Sequence, residues 1–125
     1  MPSAPARRIL IVDDEEKICR VLAEYFSLKG YQVTTALSGE AALKHCQTAR
    51  PDIVLLDLLM PGLSGMDVLQ RLKARDETLP VIIVSAADRQ EAEQRALQLG
   101  ANAYLSKPVD FSVLGTAVEH ILRAK

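Results

Sequence analysis

Five short apolar runs, each separated from the next by a longer amphipathic segment, constrain this chain more than any other feature of its sequence. The runs are Ile9–Val12, Tyr31–Thr35, Ile53–Leu56, Val81–Val84 and Ala103–Leu105. Three of them are almost unbroken Ile, Val and Leu, the pattern of strands buried on both faces of a parallel sheet. The second, "YQVTT", is more polar and reads as an edge strand. The intervening segments carry helical stripes with visible boundaries. Ile18, Val21, Leu22, Tyr25 and Phe26 form the first stripe, ended by Gly30. Ala42, Leu43 and Cys46 form a second. Ser64 with Asp67 makes a capping box before Val68, Leu69 and Leu72. Arg89–Leu99 followed by Gly100 makes a fourth helix. Asp110 caps a fifth, whose inner face is Val113, Leu114, Ala117, Val118, Ile121 and Leu122. Strand alternating with helix predicts an α/β fold: a doubly wound five-stranded parallel sheet with right-handed crossovers, covered by helices on both faces.

At 125 residues and 49% hydrophobic the chain suits one domain, large enough to bury a core without a disulfide or metal staple. We expect that domain over residues 8–125, with "MPSAPAR" at 1–7 as a flexible tail lacking the apolar stretch of a signal peptide. No run approaches the length of a membrane span. A net charge of −1 argues against a nucleic-acid footprint. Cys19 and Cys46 fall on helical stripes and read as small buried apolar residues, in keeping with a reducing cytoplasm.

The functional signal lies in the residues directly after each strand. The first strand runs into Asp13-Asp14, the third into Asp57, the fourth into Ser85, and the fifth into Ser106-Lys107-Pro108. Open parallel sheets bind ligands beyond the carboxyl ends of their strands, where strand order reverses. With the common order 2-1-3-4-5, strands one and three are neighbours at that point. Asp13, Asp14 and Asp57 then share a pocket, with Ser85 and Lys107 on its far side. Two carboxylates about 4 Å apart repel by roughly 4 kcal/mol at an effective dielectric near 20. A proton or a cation must relieve them, and an all-oxygen ligand set with open positions suits Mg²⁺. The longer loop "LLMPGLSG" at 58–65 is a candidate functional loop.

Other chemistries fit poorly. A nucleotide site needs glycines and bare N–H groups after the first strand, where this chain has four acids. A phosphatase of the haloacid-dehalogenase type needs an acid two residues after its strand-end Asp, and that position is Leu59. His45 and His120 are isolated, which removes zinc and His-based triads.

The chain resembles the receiver domain of two-component response regulators, related to the single-domain chemotaxis regulators. The likeness spans Arg8 to Arg123 and rests on "VDDEE", "DLLMPGLSG", "IIVSA" and "YLSKP", each at a strand end and in order. It implies a flavodoxin-like (βα)5 three-layer sandwich and a signalling switch that catalyses only its own phosphorylation and dephosphorylation. Asp57 would accept a phosphoryl group from a sensor histidine kinase or phosphotransfer protein. Asp14, Asp57 and the Leu59 backbone carbonyl would hold Mg²⁺, with Asp13 acting largely through water. Lys107 would pair with a phosphoryl oxygen, Ser85 would donate to another, and Tyr104 would turn inward as Ser85 moves. The Lys107-Pro108 bond would be cis. The resemblance further implies a downstream effector or linked output domain, placed at the face of the fourth helix, fifth strand and fifth helix. It leaves open a homodimer formed on phosphorylation. Leu59 and Ala87, two places after Asp57 and Ser85, are apolar where family members tune phosphoryl loss, so slow self-dephosphorylation is expected.

Each residue also has a plainer reading. Asp13 and Asp14 are suited to capping the first helix, Asp57 to a turn, Lys107 and Ser85 to surface and loop, Tyr104 to packing. Met60 and Met66 are assigned to packing, and Arg89, Glu91, Glu93 and Arg95 to a solvated face. The site reading prevails because all of these groups fall at strand ends together. The alternative function is an interaction module of the same fold that is never phosphorylated.

Overall fold

The computed structural model describes residues 6–87 and 89–124. Most of the tail expected at 1–7, residues 1–5, lies outside them. Five strands, β1 (Arg8–Val12), β2 (Gln32–Ala36), β3 (Ile53–Leu56), β4 (Val81–Ser85) and β5 (Ala103–Ser106), alternate with five helices. The helices are α1 (Glu16–Leu28), α2 (Gly39–Thr48), α3 (Gly65–Arg75), α4 (Arg89–Gln98) and α5 (Phe111–Arg123). All strands are parallel, in the order β2-β1-β3-β4-β5. The central strands β3 and β4 are buried at every residue. The polar β2 lies at an edge, as its sequence implies.

Alternation along the central strands divides the core in two. Leu10, Val12, Val54, Leu56, Val81 and Ile83 meet α2, α3 and α4 through Ala42, Val68, Leu69, Leu72 and Ala96. Ile9, Ile11, Ile53, Leu55, Ile82 and Val84 meet α1 and α5 through Cys19, Leu22, Phe26, Leu114, Val118 and Leu122. The helix boundaries reflect local chemistry. Ser38, Ser64 and Asp110 accept N-terminal amide protons of α2, α3 and α5. Gly30 and Gly100 sit at φ +98° and +104°, past the ends of α1 and α4. Both cysteines are free thiols, Cys19 buried and Cys46 half-buried. Met60 and Met66 pack against the α3 side of the core. Among the described residues no helix is long and apolar enough to cross a membrane.

Three expectations need correction. The second strand begins at Gln32 and not Tyr31, and runs on to Ala36. Val21 does not join the inner stripe of α1: it is 42% exposed, and Cys19 takes the buried place between Asp13 and Leu22. Val113 is likewise 51% exposed, one position ahead of the Leu114, Val118, Leu122 row. Both valines lie about 100° around the helix from a buried leucine, which puts them off the stripe.

Candidate functional site

Strand register builds the site. Val12 pairs with Leu56 and Ser85 with Ser106, so Asp13 and Asp57 leave the sheet level with each other, and Lys107 comes just beyond. The ladder runs one residue past the strands. Asp57 N–H donates to the Val12 carbonyl at 2.9 Å, Asp13 N–H to Ala36 at 3.1 Å, and Lys107 N–H to Ser85 at 2.9 Å. The backbone that carries these side chains is therefore fixed by the sheet itself.

Asp13 and Asp57 are each only 4% exposed. Lys107 Nζ reaches Asp13 Oδ2 at 2.6 Å and Asp57 Oδ2 at 3.0 Å, and stands 3.7 Å from Glu15 Oε1. The second oxygen of each carboxylate holds the next loop of the chain: Asp13 Oδ1 accepts Glu15 N–H at 2.9 Å, and Asp57 Oδ1 accepts Leu59 N–H at 3.0 Å. Asp13 thus shapes the turn into α1 while presenting its other oxygen to the site. Asp14 is exposed, and one oxygen from each of Asp13, Asp14 and Asp57 lies within 4.8 Å of the others. Burial pushes the Asp13 carboxyl above its ordinary value, with Asp57's charge adding to the effect. Burial pulls on Lys107 in the downward direction, but its hydrogen bonds to Asp13 and Asp57 and their charges outweigh it, and the ammonium is held more firmly than usual.

The remaining residues group around Ala87. Ser85 is fully buried and its Oγ accepts Ala87 N–H at 3.2 Å, turned to its own loop. The Tyr104 ring lies inside, 4% exposed, with its hydroxyl donating to the Ala87 carbonyl at 3.3 Å. The Leu59 side chain is 56% exposed. The Lys107-Pro108 peptide is cis. Ser64 Oγ accepts Asp67 N–H at 3.2 Å and donates to Asp67 Oδ2 at 3.0 Å, fixing the start of α3.

Three contributors escaped the sequence reading. Gly65 is pressed so closely onto the chain leaving β3 that a Cβ there would overlap the Asp57 carbonyl oxygen and Leu58 Cα. Its amide donates back to the Leu58 carbonyl at 3.1 Å, closing the loop beneath Asp57. Cys19 Sγ donates to the Asp13 carbonyl at 3.3 Å, and burial pushes that thiol up to about 11. Glu15 belongs to the acidic run after β1, but its approach to Lys107 depends on the fold.

Known proteins are similar to this chain in sequence and fold. The sequence model of the response regulator receiver domain matches residues 9–119. The chain belongs to the response regulator receiver domain family. This receiver is 40% identical over 118 residues to the sporulation initiation phosphotransferase F of Bacillus subtilis, covering 94% of the chain and 95% of that protein. It is 37% identical over 117 residues to the alkaline phosphatase synthesis transcriptional regulatory protein PhoP of the same organism, covering 94% of the chain. There it spans about half of the relative's length, 49%. Among solved structures, a CheY-like receiver domain protein of Methanospirillum hungatei superposes with a TM-score of 0.93 at 26% identity, over 96% of each chain. A Francisella response regulator receiver domain gives 0.89 at 32% identity, over 95% of this chain and 99% of that one.

The oxygen-only donor set of this receiver fits a small hard divalent cation. Two of its carboxylates are buried, the third opens to solvent, and one lysine cannot neutralise all three.

Proposed function

We propose that this receiver is a phosphorylation-activated switch in which Asp57 takes a phosphoryl group from a histidine of a sensor kinase or phosphotransfer protein. The observation that carries the reading is the Lys107 ammonium, set between Asp13 and Asp57 across 94 and 50 residues of sequence. An Asp57 carboxylate oxygen attacks phosphorus as the phosphorus–nitrogen bond of the donor breaks. The imidazole leaves with the electron pair, and Asp57 becomes an acyl phosphate. Such transfers depend on positioning and charge neutralisation more than on covalent help. Asp14, Asp57 and the Leu59 carbonyl would hold Mg²⁺, with Asp13 chiefly through water, and the ion supplies neutralisation of the phosphoryl oxygens. Lys107 turns from the carboxylates to a phosphoryl oxygen, and Ser85 exchanges Ala87 N–H for another. Those contacts exist only in the phosphorylated state, so they bias the β4–α4 turn and Tyr104 toward a second arrangement.

With apolar side chains at Leu59 and Ala87, nothing at those positions orients an attacking water, which supports a long-lived phosphoryl group. The product is a changed surface and not a stream of turnover. Its reader is a separate effector or an attached output domain, and the half-length match to transcriptional regulators accommodates the latter. Two free thiols, one buried and one half-buried, support a reducing cytoplasm as the setting.

The test is mass spectrometry after incubation with acetyl phosphate and Mg²⁺. Wild type is expected to gain one phosphoryl group on Asp57, and Asp57→Asn none. Gain by the variant would displace the nucleophile from Asp57. No gain by wild type would leave the unphosphorylated interaction module standing.

A further inference from the structure

Side chains of a strand alternate between the sheet's faces. Val81 and Ile83 of β4 and Tyr104 of β5 face the core shared with α2, α3 and α4, so Ser85 and Ser106 complete the same face. These two serines are register partners on neighbouring strands, one position before the polar rim. Their hydroxyls are unequally treated. Ser85 Oγ accepts Ala87 N–H at 3.2 Å, while Ser106 Oγ is buried without a hydrogen-bond partner among the described residues. A buried unpaired hydroxyl is unfavourable and rare enough in native structures to require a reason. Ala87 already lies over β5, because its carbonyl receives the hydroxyl of Tyr104, two residues before Ser106 on the same face.

We propose that Ser106 is a positioning residue for the phosphorylated state: when Ser85 leaves Ala87 N–H for the phosphoryl group, the Ser106 hydroxyl accepts that N–H in its place. This rests on the acceptor role of Asp57. In the resting arrangement Ser106 Oγ is the one buried side-chain polar atom without a partner among the described residues. If Ser85 moved alone, the Ala87 amide would become a second. Pairing the two orphans leaves neither, and draws the β4–α4 turn toward β5. Ser106 thereby favours the switched arrangement without touching phosphate or metal.

Ser106→Ala separates this from a packing role. Removing an unsatisfied hydroxyl is expected to leave the resting melting temperature at or above wild type, and to leave Mg²⁺ affinity unchanged. Beryllofluoride affinity, measured with Mg²⁺ on the full chain, is expected to fall roughly fivefold, the worth of one ordinary hydrogen bond. The Ala87 amide, protected from hydrogen exchange in the wild-type beryllofluoride complex, is expected to lose that protection in the variant. Equal beryllofluoride affinity in the two proteins, or equal Ala87 protection, overturns the inference alone. Failure of wild type to bind beryllofluoride overturns it together with the acceptor role of Asp57.

Discussion

The two ends of the sheet place charge in opposite ways. Below the amino ends of β3, β4 and β5, Arg50, Asp76 and Lys73 are held by an ion pair and by hydrogen bonds. Arg50 Nε lies 2.6 Å from Asp76 Oδ2, and Asp76 Oδ1 accepts both the amide and the hydroxyl of Thr78, at 3.0 and 2.6 Å. Lys73 Nζ donates to the Leu79 carbonyl at 2.7 Å and to Asn102 Oδ1 at 3.1 Å, and that oxygen also accepts Val81 N–H at 3.0 Å. At the carboxyl ends, Asp13, Asp14 and Asp57 gather their carboxylates together, and one ammonium, Lys107, meets Asp13 and Asp57. Thr78's hydrogen bonds and Arg50 hold the Asp76 carboxyl down at about 2, whereas burial raises that of Asp13. The lower end is arranged for stability. At the upper end burial works against the Asp13 carboxylate while its contacts hold the Lys107 ammonium, and the surplus of negative charge is one that a cation can meet.

The largest test of this contrast concerns the support under the site. Gly65→Ala sets a Cβ onto the Asp57–Leu58 backbone just past β3, and a loss of about 3 kcal/mol is expected in urea unfolding. A loss below about 1 kcal/mol would show that the loop yields easily. Next in size, Lys107→Ala is expected to slow acetyl phosphate transfer by about 100-fold, the usual cost of removing a donor to developing charge. Unchanged transfer would remove Lys107 from the chemistry.

Asp13→Asn tests the sign of the upper end. A folded-state value raised above 3.8 means that folding favours the protonated form. The ionised group therefore costs stability, increasingly as pH rises from 3.8 through the raised value. With a chelator at neutral pH, Asp13→Asn is expected to melt about 4 °C higher, on the order of 1 kcal/mol. Lower melting would contradict the contrast. Asp76 carries the opposite sign. Its stabilisation is full above 3.8 and fades as pH falls toward about 2. Asp76→Asn should therefore melt slightly below wild type at neutral pH, with the difference closing in acid. A difference that widened in acid would reverse the assignment.

The fold was legible because the unbroken apolar runs of β1, β3 and β4 have one economical burial, between two helical layers. The strand-end residues were legible for the same reason, since an acid directly after "IVLL" must emerge at the sheet's rim. Val21 and Val113 misled because a stripe read from sequence does not reveal where its edge falls, and neither is covered by a neighbouring element. Gly65 and the Lys73–Asn102 bond were hidden for another reason. A forbidden Cβ and a contact across 29 residues are properties of assembled backbone.

Whether the acids at 13, 14 and 57 act as one cation seat is asked most directly by calorimetric titration with Mg²⁺. One site is expected per chain, strongly weakened by Asp14→Asn and by Asp57→Asn. No heat of binding by wild type, or undiminished affinity in both variants, would contradict it.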